Sequence, residues 1–511
     1  MSTWSAGYVA DIDYMYGYYG ELNPLRVKLA FLKAGLVCPA FGDACELGFG
    51  QGLSTNLHAA ASLISWHGTD FNPSQAGFAQ ELARAADTGA RLFDDTFAEF
   101  AQRADLPDFD YIGLHGIWSW ISDDNRAVIV DFLRRKLKVG GVLYISYNTM
   151  PGWASFAPLR DLMADHAQVM GSHGHGIVSR VNDAVGFADK LLATNPLYAR
   201  ANPQVVQRLQ KIKDLNRQYL AHEYFNSHWH PMPFSKMAQW LEPAKLNFAC
   251  SAHYLDQIEE INLTPDQTTF LNQIPDAMFK ESVRDFMVNQ QFRRDYWVKG
   301  ARKLSTLEQV EDFYKQSVVL IAHRPDISLK LNGALGEASM SEEIYNPLLD
   351  LLADHQARTV AQIVDALKEK NITFNQLTQP VIVLVGAGHL APVQDKAMVS
   401  KARMHTEKAN AYLIERARSS EEIAYLASPV TGGGYAVNRI QQLFLRARAQ
   451  GKKKPAEWAQ EVCDVLWPQR QRLVKDGKTL ETAEENLAHL TAGAEEFLTK
   501  QIPILKALQI V

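Results

Sequence analysis

Glu46-Leu47-Gly48-Phe49-Gly50-Gln51-Gly52, followed by His67-Gly68-Thr69-Asp70-Phe71, decides the fold of this 511-residue chain. Residues 43–47 read as a strand, the glycines as a turn, 53–62 as a helix, and 64–69 as a second strand ending at Asp70. Glycines let a backbone turn sharply and approach a ligand, and a carboxylate after the second strand can accept from both hydroxyls of a ribose. A Gly-x-Gly-x-Gly run alone is weak. Between these strands, and with the acid in this place, it marks the nucleoside-binding turn of an open α/β sheet.

Charge narrows the ligand. A dinucleotide turn presents a bare helix N-terminus to a pyrophosphate, which Glu46 would repel. Glu46 suits a cation. S-adenosyl-L-methionine carries a sulfonium and an amino group, and the acid-glycine pattern resembles motif I of class I methyltransferases. The resemblance implies that Glu46, Gly48, Gly50, Gly52, Asp70 and Phe71 border that cofactor.

The following elements fit a parallel, doubly wound, Rossmann-like sheet with its ligand at the strands' carboxyl ends. Residues 91–95 read as the third strand, 109–115 as the fourth, 125–137 as an amphipathic helix, and 142–146 as an apolar strand buried on both faces. Asp95 and Thr96 fall where the family contacts the adenine edge, with Phe97 beside its face and His115 at the end of the fourth strand.

Later segments sharpen the resemblance. His115-Gly116-Ile117-Trp118-Ser119-Trp120, Ser146-Tyr147-Asn148-Thr149-Met150-Pro151-Gly152-Trp153, Tyr219-Leu220-Ala221-His222-Glu223-Tyr224-Phe225-Asn226, Ala244-Lys245-Leu246 and Asn289-Gln290-Gln291-Phe292-Arg293-Arg294-Asp295 are similar to bacterial methyltransferases that carry a methyltransferase regulatory domain. That group contains rickettsial outer-membrane-protein lysine methyltransferases. The likeness is good over residues 1–300 and loose beyond, and it implies direct methyl transfer to a protein lysine. Two other classes stay open: a sugar or small-molecule O-methyltransferase with His115 or His222 as base, and a non-enzymatic cofactor sensor. A base-amine methyltransferase fits poorly, because Tyr147-Asn148-Thr149-Met150-Pro151 departs from the Asn-Pro-Pro-Tyr type.

Composition bounds the rest. The chain is 47% apolar, enough for more than one core, and its net charge of −5 argues against a general nucleic-acid binder. Cys38, Cys45, Cys250 and Cys463 lack paired spacing and read as reduced core residues. No signal-like segment or long apolar span is evident, so a cytoplasmic protein without a membrane span is expected.

Residues 154–230 interrupt the sheet pattern with helical periodicity at 159–170, 187–193 and 204–219, before a helix at 234–241 and a strand at 246–252. An insertion here sits above the strands' carboxyl ends, where it shapes an acceptor pocket, makes a homodimer contact, or both. Tyr219 and Glu223, four apart, share a helix face and are candidates to hold an ammonium by cation–π and ionic contacts, with Trp118, Trp120, Tyr147 and Trp153 lining the channel. The alternative is a packed helix end with Glu223 bonded locally. Tyr8, Tyr14, Tyr16, Tyr18 and Tyr19 precede a helix at 25–34; by resemblance they form a lid over the cofactor, and otherwise an arm on a neighbouring subunit.

Other features read as structural. His173 with His175, and His228 with His230, have metal-like spacing but no accompanying acids, so no metal is expected. Lys452-Lys453-Lys454 reads as a solvated turn, and Arg293, Arg294, Lys299, Arg302 and Lys303, interleaved with Phe292, Tyr296 and Trp297, as a charged helix between domains or a surface for an acidic partner. Beyond residue 300, a strand at 327–331 and helices at 344–353, 359–367 and 374–385 resemble a winged helix; 401–511 is mostly helical, broken at Gly432-Gly433-Gly434 by a flexible turn or an anion nest. The expected segments are 1–153 (arm and cofactor-binding core), 154–230 (helical lid or dimer insertion), 231–300 (completion of the core and regulatory region), 301–400 (winged-helix-like) and 401–511 (helical).

Overall fold

Asp43–Leu47 (β1), Ser65–Thr69 (β2), Arg91–Phe93 (β3), Phe109–Leu114 (β4), Leu137–Asn148 (β5), Leu246–Ser251 (β6) and Phe292–Lys299 (β7) form one seven-stranded sheet in the order β3-β2-β1-β4-β5-β7-β6. The structure, a computed structural model, describes residues 8, 12, 14–171 and 176–511; His173 and His175 lie outside the described residues. β1 pairs in parallel with β2 from Asp43↔Ser65 to Leu47↔Thr69, and with β4 through Cys45↔Ile112. This puts the carboxyl ends of β1, β2 and β4 side by side, where a doubly wound sheet holds its ligand.

Pro24–Lys33 (α1), Leu53–Ala61 (α2), Pro73–Ala86 (α3), Phe97–Gln102 (α4) and Asp123–Lys136 (α5) cover the sheet. Every residue of α2 is buried, including Ser54, Thr55, Asn56 and His58. Buried polar groups need partners, and Asn56 donates to the carbonyls of Gly52 and Ala79 at 2.9 and 3.0 Å.

β7 corrects the expectation of a charged helix near 292–303. It pairs antiparallel with β5 from Val142↔Val298 to Asn148↔Phe292, and with β6 on its other side. Alternation explains the mixed composition: Tyr296 and Val298 enter one core, while Trp297 enters the core on the opposite face. Arg293 is buried on this strand and is neutralised on three sides, bonding Asp285 at 2.5 Å, Asp295 at 2.9 Å and Glu281 at 2.9 Å. A buried charge survives only when paired in this way.

The insertion is helical as expected, with different breaks: Ala157–Val169 (α6), Ile177–Ala193 (α7), Leu197–Ala201 (α8), Pro203–Lys213 (α9) and Arg217–Tyr224 (α10). The helix expected over 204–219 is two, because Asn216 caps α10 by accepting from the amides of Gln218 and Tyr219 at 2.8 and 3.2 Å.

The second half of the chain packs directly on the sheet helices. Leu53 and Leu57 of α2 and Phe78 and Leu82 of α3 share one core with Leu413, Phe444, Trp458 and Ile504. The strand expected at 327–331 is instead a hairpin of Lys330–Gly333 with Gly336–Ser339. Helices Glu342–Leu351, Val360–Ala366 and Phe374–Gly386 stand beside a three-stranded sheet of Ser317–Leu320, Arg358–Thr359 and Leu390–Pro392. The glycine run is split between a turn and a strand: Gly432, at φ +67°, ends the turn of a hairpin, and Gly433 and Gly434 begin its second strand, Tyr425–Ser428 pairing with Gly433–Ala436. A Cβ at Gly433 would strike the Tyr18 hydroxyl and the Asn23 amide. Among the described residues no helix is long and apolar enough to cross a membrane, no group of three or more His, Cys, Asp and Glu is placed to hold a metal, and the four cysteines are unpaired.

Candidate active site

The glycine turn leaves β1 and is locked to the end of β2. Gly50 has φ +57° and its amide donates to Asp70 Oδ2 at 2.8 Å; the Asn72 amide donates to Asp70 Oδ1 at 3.1 Å. Gly52 has φ +68°, and a Cβ there would lie 2.5 Å from that of Ala79, so the turn can meet α3 only as glycine. Glu46, buried at the end of β1, accepts from the Thr55 hydroxyl.

These groups open onto a cleft. Glu46, Gly48, Gly50, Asp70 and Phe71 line it from the first two strands; Asp95, Thr96 and Phe97 from the third; His115 from the fourth. Gly52 is not a lining residue and shapes the turn from behind. Asp95 also pairs with Arg103 at 3.1 Å, and Thr96 caps α4. Burial pushes Glu46 up to about 8, against the Thr55 hydrogen bond, with Asp70 adding repulsion. Burial likewise pushes Asp70 up to about 7, against the two backbone amides. Both carboxylates are thus short of solvation, as sites for a cation and for hydroxyl donors would be.

The tyrosine arm lies over its own turn. Gln51 donates to the carbonyl of Tyr14 at 3.1 Å, and the Tyr19 amide donates to Ser54 at 2.9 Å. The Tyr14 ring stands 3.0 Å from where a Gly50 Cβ would be. Tyr19 stacks on His115 with centroids 3.6 Å apart, and His115 Nδ1 shares a 2.8 Å hydrogen bond with the Tyr144 hydroxyl. Burial depresses His115 to about 4, so its ring is neutral near pH 7. Tyr8 reaches Phe71 and His222, and Tyr18 contacts the C-terminal hairpin at Tyr425.

A second pocket adjoins the cleft, sharing Tyr8, Tyr14, Tyr19, His115, Gly116 and Trp120 as a common wall. Its far side is formed by Asn148, Trp153, Arg208, Tyr219, His222 and Glu223. α10 is held against the sheet by the Trp120 indole, which donates to the Glu223 carbonyl at 3.2 Å. Desolvation pushes the Glu223 carboxyl up to about 7, while Asn148, Arg208 and Arg160 pull it down. Tyr219 is raised by burial first and by Glu223 second.

Trp118 and Tyr147 do not reach either pocket. Both are fully buried in the core under the sheet, Trp118 against Trp240 and Tyr147 donating to Asp295 at 2.9 Å. Alternation along β5 turns Tyr147 away from the face that carries Ser146 and Asn148 to the site. His228 and His230 have ring centroids 6.2 Å apart, and the charge of Asp123 reaches His230. Ile117, Ser122, Asn125, Asn148 and Arg208 also line the pockets; Ile117 and Asn148, in the quoted motifs after the fourth and fifth strands, were the two with a sequence signal.

A family model for a predicted methyltransferase regulatory domain matches residues 216–299, spanning α10, β6 and β7. The Synechocystis uncharacterized protein sll1526 is 40% identical over 513 residues, 99% of this chain and 100% of that one. The Rickettsia prowazekii uncharacterized protein RP789 is 24% identical over 340 residues, 62% of this chain and 57% of that one. PKMT2 from Rickettsia typhi, solved in complex with AdoHcy, has a TM-score of 0.69 at 16% identity over 98% of this chain and 100% of that chain, a likeness of fold. The near-full-length relative, the regulatory-domain match and the 3-2-1-4-5-7-6 sheet agree: this chain belongs to the family in which a class I S-adenosylmethionine-dependent methyltransferase fold carries a methyltransferase regulatory domain.

Proposed function

We propose that the protein transfers a methyl group from S-adenosyl-L-methionine to the side-chain nitrogen of a protein lysine. The observation that carries this reading is the adjoining pair of pockets, one with buried Glu46 and Asp70, the other with Glu223 among aromatic rings. The donor set of the first fits the cofactor: Asp70 for ribose hydroxyls, Glu46 for a cationic centre, and Phe71, Phe97 and Ile117 for an adenine. AdoHcy in the R. typhi neighbour is the demethylated form of that cofactor and supports the assignment.

When bound, the cofactor supplies a methyl on a sulfonium; transfer breaks the sulfur–carbon bond, forms a nitrogen–carbon bond and releases one proton from the amine. The chain's part is alignment in a water-poor pocket. A free lysine has a pKa of about 10.4, and desolvation among Tyr8, Trp153 and Tyr219 favours its neutral form. Glu223 opposes that shift, so its role is to orient the nitrogen, with the proton passing to water. His115, held neutral and stacked on Tyr19, is a weak base, which supports an amine over a hydroxyl acceptor.

The same proposal covers the five segments 1–153, 154–230, 231–300, 301–400 and 401–511, a winged-helix-like arrangement of the fourth, a cytoplasmic location, no nucleic-acid partner and a homodimer. The dimer is supported by Leu162, Val169, Met170 and Phe187, apolar side chains exposed on α6, α7 and the turn after α6; light scattering at micromolar concentration tests it, and a monomer would leave the insertion a purely intramolecular role. For the reaction, the test is incubation with methyl-labelled cofactor and bacterial lysate, followed by identification of the labelled residue. N-methyllysine is expected; label confined to hydroxyl oxygens, or none, would end the reading.

A further inference from the structure

The acceptor pocket carries both signs of charge, and we propose that Arg208 makes it select an amine that has a carboxylate close by. This rests on the second pocket being the acceptor site. α9 brings Arg208 to that pocket together with Glu223, Tyr219 and Trp153. The guanidinium carbon stands 3.7 Å from the centroid of the Trp153 ring and 4.7 Å from that of Phe156. The Trp153 ring lies against the guanidinium, whose N–H edge is the one that matches a carboxylate in two-pronged geometry.

Arg208 has not spent that edge on a carboxylate of its own chain. Among the described residues it takes part in no ion pair, whereas Arg160 nearby bonds Asp161 and the Asn226 carbonyl, and Lys213 on the same helix bonds Asp189. The Tyr224 side chain bonds to Arg208, and Glu223 senses its charge without pairing to it. For an isolated ammonium the guanidinium is a repulsive neighbour. For a ligand with an ammonium and a carboxylate it completes the match, Glu223 facing one group and Arg208 the other. Arg208 borders only the second pocket and not the cleft under the glycine turn, so the carboxylate belongs to the acceptor and not to the cofactor's methionine end.

Two sources carry that chemistry: an acidic residue beside the lysine in a polypeptide, and the α-carboxylate of free lysine. Single-turnover methyl transfer is measured to end-blocked pentapeptides with a central lysine flanked by Asp, Ser or Arg, and to free lysine against lysine amide, with cofactor affinity alongside. Wild type should prefer the Asp-flanked peptide over the Arg-flanked one by roughly fivefold to tenfold, the scale of one partly solvated charged hydrogen bond. Arg208→Gln should level the series, and Arg208→Glu should invert it, with cofactor affinity unchanged in both. Free lysine outpacing its amide would assign the α-carboxylate as a source; the peptide ranking assigns the flanking acid. Equal transfer to all three peptides and to both lysine forms by wild type, which requires no variant to fold, overturns the inference and leaves lysine methylation standing. A cofactor affinity that falls with either variant also overturns it, because the guanidinium then serves the cofactor. No transfer to any lysine probe ends the lysine reading and this inference with it.

Discussion

The amide of Gly50 and the carboxylate of Asp70 are joined by a 2.8 Å hydrogen bond, so the acid proposed to accept from the ribose also fixes the turn beside it. Asp70→Ala should therefore weaken S-adenosyl-L-methionine binding by about 1–3 kcal/mol, the cost of unpaired donors. Gly50→Ala should also weaken it, since Gly50 sits at φ +57° with the Tyr14 ring 3.0 Å from the added carbon. Titration calorimetry on folded variants reads both. Unchanged binding in Asp70→Ala would refute the site.

The two raised carboxyls give cofactor binding a pH dependence. Glu46 and Asp70 titrate at about 8 and about 7 in the free protein because burial disfavours their charged forms. A cation at Glu46 and hydroxyl donors at Asp70 favour ionisation, so binding releases protons and tightens as pH rises from about 6 to about 8. Glu46→Gln should flatten the upper part of that rise and lower affinity. Stability runs the other way: a carboxyl raised on folding contributes stability below its unfolded pKa and loses it as pH rises through about 8. Glu46→Gln should hence melt higher than wild type above pH 8; an equal or lower melting temperature there would show that the carboxylate is not strained by burial.

Acceptor capture should depend on Glu223 and Tyr219 with cofactor binding left intact. Glu223→Gln keeps size and deletes charge, an expected loss of about 1.5–3 kcal/mol. Tyr219→Leu should lose about 0.5–2 kcal/mol of cation–π attraction, which Tyr219→Phe retains. The measurement is single-turnover transfer to the identified acceptor. Wild-type behaviour in both Glu223→Gln and Tyr219→Leu would remove the lysine channel.

Arg293 offers a test of the sheet itself. Its removal leaves Asp285, Asp295 and Glu281 facing one another in the core. Arg293→Ala should destabilise the fold by about 3–5 kcal/mol, the usual cost of orphaning a buried ion. A chemical denaturation midpoint close to wild type would mean that the three acids are paired or hydrated without it.

Legibility followed periodicity. The first strands of the sheet were readable because the glycine turn after β1 and the polar residues just beyond β2 and β4, Asp70 and His115, punctuate them in the expected order. β7 was hidden because Arg293, Arg294 and Asp295 imitate an exposed helix; what fits Arg293 to a buried strand is neutralisation by Glu281 and Asp285 of the helical segment Ala277–Met287, while Arg294 pairs with Glu21, and neither set of partners is visible along the chain. Trp118 and Tyr147 sit in the right motifs but on the wrong face, since motif membership fixes a strand's address and not its alternation. Arg208 lacked any signal, being one cation on an amphipathic helix until folding brings it beside Glu223.

Asn23, which caps α1 just after the tyrosine arm, donates to the Thr431 carbonyl at 2.9 Å, and Tyr18 lies on the glycines of the same hairpin. The seat of the arm that covers the cofactor turn is thus encoded some 400 residues downstream of it. During synthesis the sheet, its glycine turn and the local bonds of Tyr14 and Tyr19 to Gln51 and Ser54 can form early, yet the cover gains its remaining anchor only after the hairpin has left the ribosome. A nascent chain stalled before residue 425 should expose the Gly50 turn to solvent, so that ligand retention becomes a report on completion of the polypeptide.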